Sequence, residues 1–326
     1  MTTPPPTYLL LETMRRTGSL RPVQSVLMPV RSLLVLASLG RGSAIASQRA
    51  FRERRQGAHS GSFATAFEGT TAHGNCVALH LPPLPAPGLL DEEHVRVLQE
   101  QIEQIDLHPA EVDHMRQLQH HQRVLFTGGR VALRRALERS AAADDASLVS
   151  AAPLLPGAFG APVLPEGWLG SISHTHGLAA AVACARLTSD NGELLPSGVG
   201  IDVEASSRAV TSRLCRRCFA EDERASLGHS NELDERADAL LRFSLKEALY
   251  KAIHPLLPTS ISWHSVTVWP DAEGGCHVDA SNLEARLEVR LRADAQWQEQ
   301  SGFYVATASA LLLEPPPRPL GSKSGA

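Results

Sequence analysis

The chain has 326 residues, with 31 basic and 35 acidic side chains, a formal charge of −4, 43% hydrophobic residues and 5% aromatic residues. That length supplies one large domain or two modest ones with a real core, and the hydrophobic share excludes a wholly disordered chain. The slightly negative charge and the scarcity of rings exclude a strongly basic nucleic-acid binder and a stacking platform for single strands.

Residues 1–58 differ from the rest in composition. Nine arginines fall between Arg15 and Arg55, with no lysine and only Glu12 and Glu53 as acids. An Arg-rich, Ser-rich, acid-poor stretch has the composition of an organelle transit segment; a disordered extension or an upstream start codon reads the same way. The longest apolar run there, Leu33 to Ala37, is too short to span a bilayer. The expected compartment is the cytoplasm, with a mitochondrion or plastid as the alternative.

Helical periodicity begins at Asp91 and carries Leu98, Ile102 and Ile105 on one face. Pro109 suits the first turn of a second helix, and an amphipathic stretch from Ala110 to Arg139 is expected to break at Gly128-Gly129. The Ala/Pro/Gly-rich residues 141–170 read as a loop. Gly170-Ser-Ile-Ser-His174 is expected to be a turn leading through His176-Gly177 into a strand, Leu178 to Ala185. Gly198 to Glu204 is a strand, 208–230 is helical, and Asp234 to His254 is a longer helix stopped at Pro255. Strands are expected at Ser265–Trp269, Glu284–Arg292 and Phe303–Leu313. Helices and antiparallel strands mix without βαβ regularity, so the class is α+β.

Common chemistries can be struck out. No Gly-Lys pair exists for a P-loop, no G-x-G-x-x-G opens a helix, and neither G-x-S-x-G nor H-E-x-x-H is present. The five cysteines are scattered, and Cys215-Arg-Arg-Cys218 lacks the second pair that a zinc site requires; it reads as two ordinary helix cysteines.

Four segments carry chemistry. In Gly198-Val-Gly-Ile-Asp-Val-Glu204, period two puts Val199, Ile201 and Val203 on a core face and turns Asp202 and Glu204 together to the other. Adjacent carboxylates suit Mg²⁺ together with substrate phosphates, although an exposed acidic strand face has the same pattern. In Phe243-Ser-Leu-Lys-Glu-Ala-Leu-Tyr-Lys251, Glu247 and Lys251 share a helix face, and Lys246 projects about 100° away. The chain has only three lysines, Lys246, Lys251 and Lys323, against 28 arginines. Two of them in one short helix suit phosphate chemistry, and a salt-bridged surface helix is the plainer reading. Ser171, Ser173 and His174 offer hydroxyls and an imidazole for phosphate; His174 and His176, two residues apart, could instead bind a metal, and a structural turn histidine is the plainer reading. Arg123 and Arg130, two helical turns apart, are either anion grips or a solvated face.

In order and spacing, Gly129-Arg130 with Ala136-Leu137, Gly170-Ser-Ile-Ser-His174, Gly200-Ile-Asp-Val-Glu204 and Phe243-Ser-Leu-Lys-Glu-Ala-Leu-Tyr-Lys251 resemble the 4′-phosphopantetheinyl transferases. The closer likeness is to the branch that acts on siderophore and other carrier proteins. The resemblance implies a monomer of two similar α+β halves related by a pseudo-two-fold, each a small antiparallel sheet with packed helices, with the active site in the cleft. The expected divisions are 1–58 as an extension, 59–190 and 191–314 as the halves, and 315–326 as a tail. It implies Mg²⁺ held by Asp202, Glu204 and Glu247, and coenzyme A held by Arg123, Arg130, Ser173, His174, Lys246 and Lys251. It implies transfer of the 4′-phosphopantetheine arm to a serine of an acyl or peptidyl carrier protein, releasing adenosine 3′,5′-bisphosphate. Glu247 would act as the base and Lys251 would stabilise the leaving group. Neither nucleic acid nor a membrane is an expected partner. The chain departs from the family pattern at Leu125, where an acid is usual, and at Gly160-Ala161, where a basic residue is usual. A noncatalytic binding module and another Mg²⁺-dependent phosphohydrolase are the competing readings.

Overall fold

The structure is a computed structural model, and it describes residues 63–83, 92–142, 145, 149, 151–175, 177–229, 232–257 and 259–316. The extension 1–58, His176 and almost all of the expected tail lie outside the described residues. In chain order the elements are β1 (Thr65–Thr71), β2 (Gly74–His80), α1 (Glu92–Glu103), α2 (Pro109–Arg116), α3 (His120–Ser140), β3 (Trp168–Thr175) and β4 (Leu178–Ala185). There follow β5 (Ser197–Ala205), α4 (Ser212–Cys218), α5 (Glu221–Ala225), α6 (Glu235–Ile253), β6 (Thr267–Pro270), β7 (Gly275–Asp279), α7 (Ser281–Leu287), β8 (Arg290–Gln300) and β9 (Phe303–Glu314).

Two antiparallel sheets result, ordered β1-β2-β4-β3 and β5-β9-β8-β7-β6. The strand period of two sorts their side chains into layers. Cys76, Ala78, Leu178, Ala180 and Val182 face Val199, Ile201, Val203 and Val305 of the second sheet. The alternate residues Val77, Leu79, Ala181 and Ala183 face Ala132, Leu133, Ala136 and Leu137 of α3. Beyond the second sheet, Tyr304, Ala306 and Ala308 pack on Leu241, Leu245 and Leu249 of α6. The layers therefore run helix, sheet, sheet, helix, and the α+β expectation holds.

Several local expectations change. The long helical stretch breaks at Gln117–Gln119, where α2 ends and α3 begins, not at the glycines. Gly128 and Gly129 lie inside α3 because the sheet presses on them: a Cβ would come 2.3 Å from Leu81 Cδ2 and 2.9 Å from Ile172 Cγ2, respectively. Gly170 to His174 is strand β3, paired in register with β4, and not a turn. Glu284–Arg292 divides into the end of α7 and the start of β8, and β1, β2 and β7 have no counterpart among the expected strands. The helix expected from Asp234 is α6, with the Asp234 carboxylate capping the N–H groups of Arg236 and Ala237.

Candidate active site

The site forms where α6 crosses β5. Gly198, Gly200, Asp202 and Glu204 occupy the face of β5 turned to α6, and the glycines set how closely the two approach. A Cβ on Gly200 would lie 1.9 Å from the Ala248 carbonyl oxygen, and one on Gly198 would lie 2.1 Å from that of Ala252. Only a strand without side chains at these points lets the helix backbone down onto it. Glu247 and Lys251 flank the contact on the helix, and Asp202 and Glu204 continue it on the strand.

Asp202 is buried and accepts from three side chains. Its Oδ1 accepts from Ser173 Oγ at 2.8 Å and Lys251 Nζ at 2.9 Å, and its Oδ2 accepts from Ser244 Oγ at 2.9 Å. Lys251 also donates to the Ile201 carbonyl at 2.9 Å, and 28% of its side chain stays exposed. Glu204 is paired through Oε1 with Arg208, while its buried Oε2 has no partner. Glu247 is half-buried beside them. Burial first, and then the neighbouring Asp202 charge, push the carboxyls of Glu204 and Glu247 up to about 7 against the pull of Arg208 and Lys251. His174, at the cleft end of β3, is pushed down to about 4 by burial and then by the Lys251 ammonium, so its imidazole is neutral at pH 7. That removes the charge expected of it but leaves a donor and an acceptor.

The other sequence-based candidates divide. Ser173 does not point a free hydroxyl at a phosphate; it accepts from the Val203 N–H at 3.3 Å and gives its own proton to Asp202. Lys246 is not a phosphate grip. Its ammonium turns into the core and spends all three donors on Glu223 Oε2 at 2.6 Å, the Cys218 carbonyl at 2.9 Å and the Trp263 carbonyl at 2.9 Å. Arg130 is also turned inward, against the Leu154 carbonyl and over the Phe126 ring at 4.4 Å, and burial lowers it to about 10. Arg123 donates to the carbonyls of Leu118 and Arg116, both at 2.9 Å, and lines a cavity of about 220 Å³ with Leu98, Ile102 and Met115, apart from the carboxylates. Two residues were missed. Ser244 sits inside the motif but reads as helix filler, and Arg208 lies four residues past Glu204, outside either motif.

A cation fits this chemistry only in part from the protein side. Among the described residues no three His, Cys, Asp or Glu side chains form a ready-made metal cage. The donors are hard oxygens, however, and Glu204 Oε2 is a buried acceptor awaiting a donor or a cation. Mg²⁺ typically takes only one or two carboxylates, with water and substrate oxygens completing its shell. Glu204, Glu247 and Asp202 are the residues that could hold it.

Comparison with known proteins identifies the family. The sequence pattern of the 4′-phosphopantetheinyl transferase superfamily matches residues 198–308, and that of the 4′-phosphopantetheinyl transferase N-terminal domain matches residues 110–184. The 4′-phosphopantetheinyl transferase Svp of Streptomyces mobaraensis is 32% identical over 138 residues, covering 42% of this chain and 50% of that protein. The chain thus spans half the length of that relative. The holo-[acyl-carrier-protein] synthase of Salinispora arenicola is 32% identical over 120 residues, covering 35% of this chain and 94% of that one. Among solved structures, the Chronobacterium ammoniagenes ACPS-CoA complex overlaps 36% of this chain and 97% of its own at 17% identity, with a TM-score of 0.28. The Helicobacter pylori holo-[acyl-carrier-protein] synthase in complex with coenzyme A overlaps 35% and 98% at 16% identity, with a TM-score of 0.26. The first pattern runs through β5, α6 and on into β9, and so takes in Asp202, Glu204, Ser244, Glu247 and Lys251 together. By that match and by the near-complete coverage of the Salinispora protein, the chain belongs to the 4′-phosphopantetheinyl transferase superfamily.

Proposed function

We propose that this protein transfers the 4′-phosphopantetheine arm of coenzyme A to a serine of an acyl or peptidyl carrier protein in a Mg²⁺-dependent reaction. The observation that carries the reading is the meeting of Asp202, Glu204 and Glu247 with Lys251 and Arg208 where α6 crosses β5. Three carboxylates against two cations leave the site one negative charge when all are ionised. A bound divalent cation would reverse that sign and neutralise a pyrophosphate as charge develops on its leaving half.

The chain's own groups supply the remaining functions. Ser173, Ser244 and Lys251 fix Asp202 from three sides, so this ligand is held before anything binds. The Glu247 carboxylate, beside Asp202 and Glu204, is the proton acceptor of the site. It takes the hydroxyl proton of the carrier serine as that oxygen forms its bond to phosphorus. The bond broken joins this phosphorus to the bridging oxygen of the nucleotide phosphate, and adenosine 3′,5′-bisphosphate leaves. Lys251 has used two of its three N–H donors on Asp202 and Ile201, and the third is available to the departing oxygen. Neutral His174 serves as a hydrogen-bond partner to phosphate and not as a countercharge.

The test is the intact mass of an apo carrier protein after incubation with the protein, coenzyme A and Mg²⁺. A gain of one phosphopantetheine arm, lost on chelation and lost in Glu247→Gln, is expected. Full activity of Glu247→Gln would overturn its role as base. No gain on fatty-acid or peptide-type carriers from folded protein would overturn the activity.

A further inference from the structure

We propose that Arg208 is a phosphate-binding residue of this site, holding Glu204 with one N–H and presenting the rest of its guanidinium to a phosphoryl oxygen of the bound substrate. The inference deepens the transferase reading and rests on it.

The turn that carries Arg208 is built to hold it in place. β5 ends at Ala205, and the next residue is tied to the β8–β9 hairpin: the Ser206 N–H and hydroxyl both donate to the Gly302 carbonyl at 2.9 Å. The Arg208 N–H closes the turn on the Ala205 carbonyl at 2.8 Å. From there the guanidinium lies over the Phe243 ring, 5.3 Å from its centroid, and Phe243 is itself stacked on Trp263 at 5.8 Å. Nη1 donates to Glu204 Oε1. Arg208 makes no other side-chain hydrogen bond to the described residues, and 45% of the side chain is exposed. A guanidinium has five N–H donors in a rigid fork, so most of them remain at the surface beside the carboxylates.

The alternatives for this task are consumed. Lys246 and Arg130 point into the protein, and Arg123 is tied to two backbone carbonyls. Lys251 has one donor left. A pyrophosphate brought to Asp202, Glu204 and Glu247 therefore meets the partly buried Lys251 and the exposed Arg208, and of these two Arg208 offers a fork that matches two phosphate oxygens. Because Glu204 Oε2 is the orphan and Oε1 carries Arg208, a cation on Oε2 leaves the arginine where it is.

The test is binding, measured by titration calorimetry on the full chain with Mg²⁺ present. Coenzyme A and pantetheine, which lacks every phosphate, are titrated into wild type, Arg208→Gln and Arg208→Lys, and Mg²⁺ is titrated alone. Arg208→Gln is expected to weaken coenzyme A by about tenfold or more, the scale of one charge-assisted contact. Arg208→Lys recovers part of the loss. Pantetheine affinity, measured by competition, stays unchanged, and Mg²⁺ affinity stays within about twofold. Unchanged coenzyme A affinity in Arg208→Gln would overturn the assignment, as would a loss that Mg²⁺ affinity matches in full. The second result would leave Arg208 only as the counter-ion that positions Glu204. Should Arg208→Gln not fold, coenzyme A binding to Arg208→Lys at wild-type strength, with pantetheine and Mg²⁺ also unchanged, would refute the need for the fork. Wild-type protein that binds no coenzyme A would bring down the transferase reading itself, and is distinguishable because it appears before any substitution.

Discussion

The crossing of α6 over β5 makes Gly200→Ala the most informative single change. The added Cβ would sit 1.9 Å from the Ala248 carbonyl oxygen and 2.9 Å from both the Ala248 carbonyl carbon and the Ala252 nitrogen. These are backbone atoms of a helix and cannot rotate aside. Restoring ordinary contact, 3.4 Å or more, means separating helix and strand by roughly 1.5 Å. Overpacking of this kind costs about 1–3 kcal/mol, and the helix that must move carries Ser244, Glu247 and Lys251. A displacement of about 1 Å at reacting groups costs on the order of 100-fold in rate. Gly170→Ala is the milder comparison, because its Cβ would meet two side-chain ends, Leu133 Cδ1 at 2.7 Å and Leu164 Cδ1 at 3.1 Å, and the nearest backbone atom, the Val182 carbonyl oxygen, only at 3.3 Å. Urea unfolding and carrier-protein loading rates, measured side by side, should show Gly200→Ala losing more stability than Gly170→Ala and most of its activity. A Gly200→Ala protein within about 0.5 kcal/mol of wild type and with full activity would refute the close-crossing argument.

Three further outcomes are expected. Ser173→Ala and Ser244→Ala each remove one hydrogen bond from the Asp202 carboxylate; Mg²⁺ affinity should fall about tenfold in each, and unchanged affinity in both would show that Asp202 needs no such support. Glu204 and Glu247 are pushed up to about 7 from 4.5, so between those values the folded protein binds more protons than the unfolded chain and stability falls as pH rises. Melting curves in chelator from pH 5 to 8 should show this slope flattened in Glu247→Gln, and calorimetry in buffers of different ionisation enthalpy should show protons released as Mg²⁺ binds near pH 6.5; metal uptake without proton release would contradict the raised values. Lys246→Met strands the buried Glu223 carboxylate and should cost about 3–5 kcal/mol, whereas Lys251→Met should lose transfer activity with a smaller stability change, and the opposite ranking in denaturant would sink the division of roles.

What the sequence discloses and what it hides follow from the range of the interactions. The strand–helix pair at the centre of the site is legible because period two on β5 turns Asp202 and Glu204 to one side and period 3.6 on α6 does the same for Glu247 and Lys251. The inward turn of Lys246 was also within reach. It shares a helical stripe with Arg242, Leu249 and Ile253, all buried, and that stripe marks a core-facing lysine. Its partner Glu223 lies 23 residues away, and no periodicity connects the two. Gly128-Gly129 misleads for the same kind of reason: glycine breaks an isolated helix, but inside α3 it admits Leu81 and Ile172 from the sheet. Arg208 is invisible to motif reasoning because its position depends on a turn fastened to Gly302, which is far along the chain.

The seam between the sheets explains why the site stands where it does. β3 and β5 are both edge strands, and two bare edges side by side would ordinarily pair through their backbones. Here the serines of β3 take that place: Ser171 Oγ accepts the Ile201 N–H at 3.2 Å, and Ser173 Oγ accepts the Val203 N–H at 3.3 Å. A hydroxyl that accepts from a backbone N–H still has a proton to give, and Ser173 gives it to Asp202. The contact that joins the sheets is thus the same contact that orients the carboxylate. At another point of the interface, His73 from the β1–β2 turn reaches Thr307 Oγ1 and Asp294 Oδ2, each at 2.8 Å. With both fasteners in place, sliding one sheet past the other by a single residue would break the serine–amide pairs and unseat Asp202 together. Alanine at either Ser171 or Ser173 removes an acceptor from a β5 amide, but only at Ser173 does the carboxylate lose a donor as well. The alternation of β3 therefore turns both serines to β5, one that only joins and one that joins and positions, which is why Ser-Ile-Ser carries more of the site than its small side chains suggest.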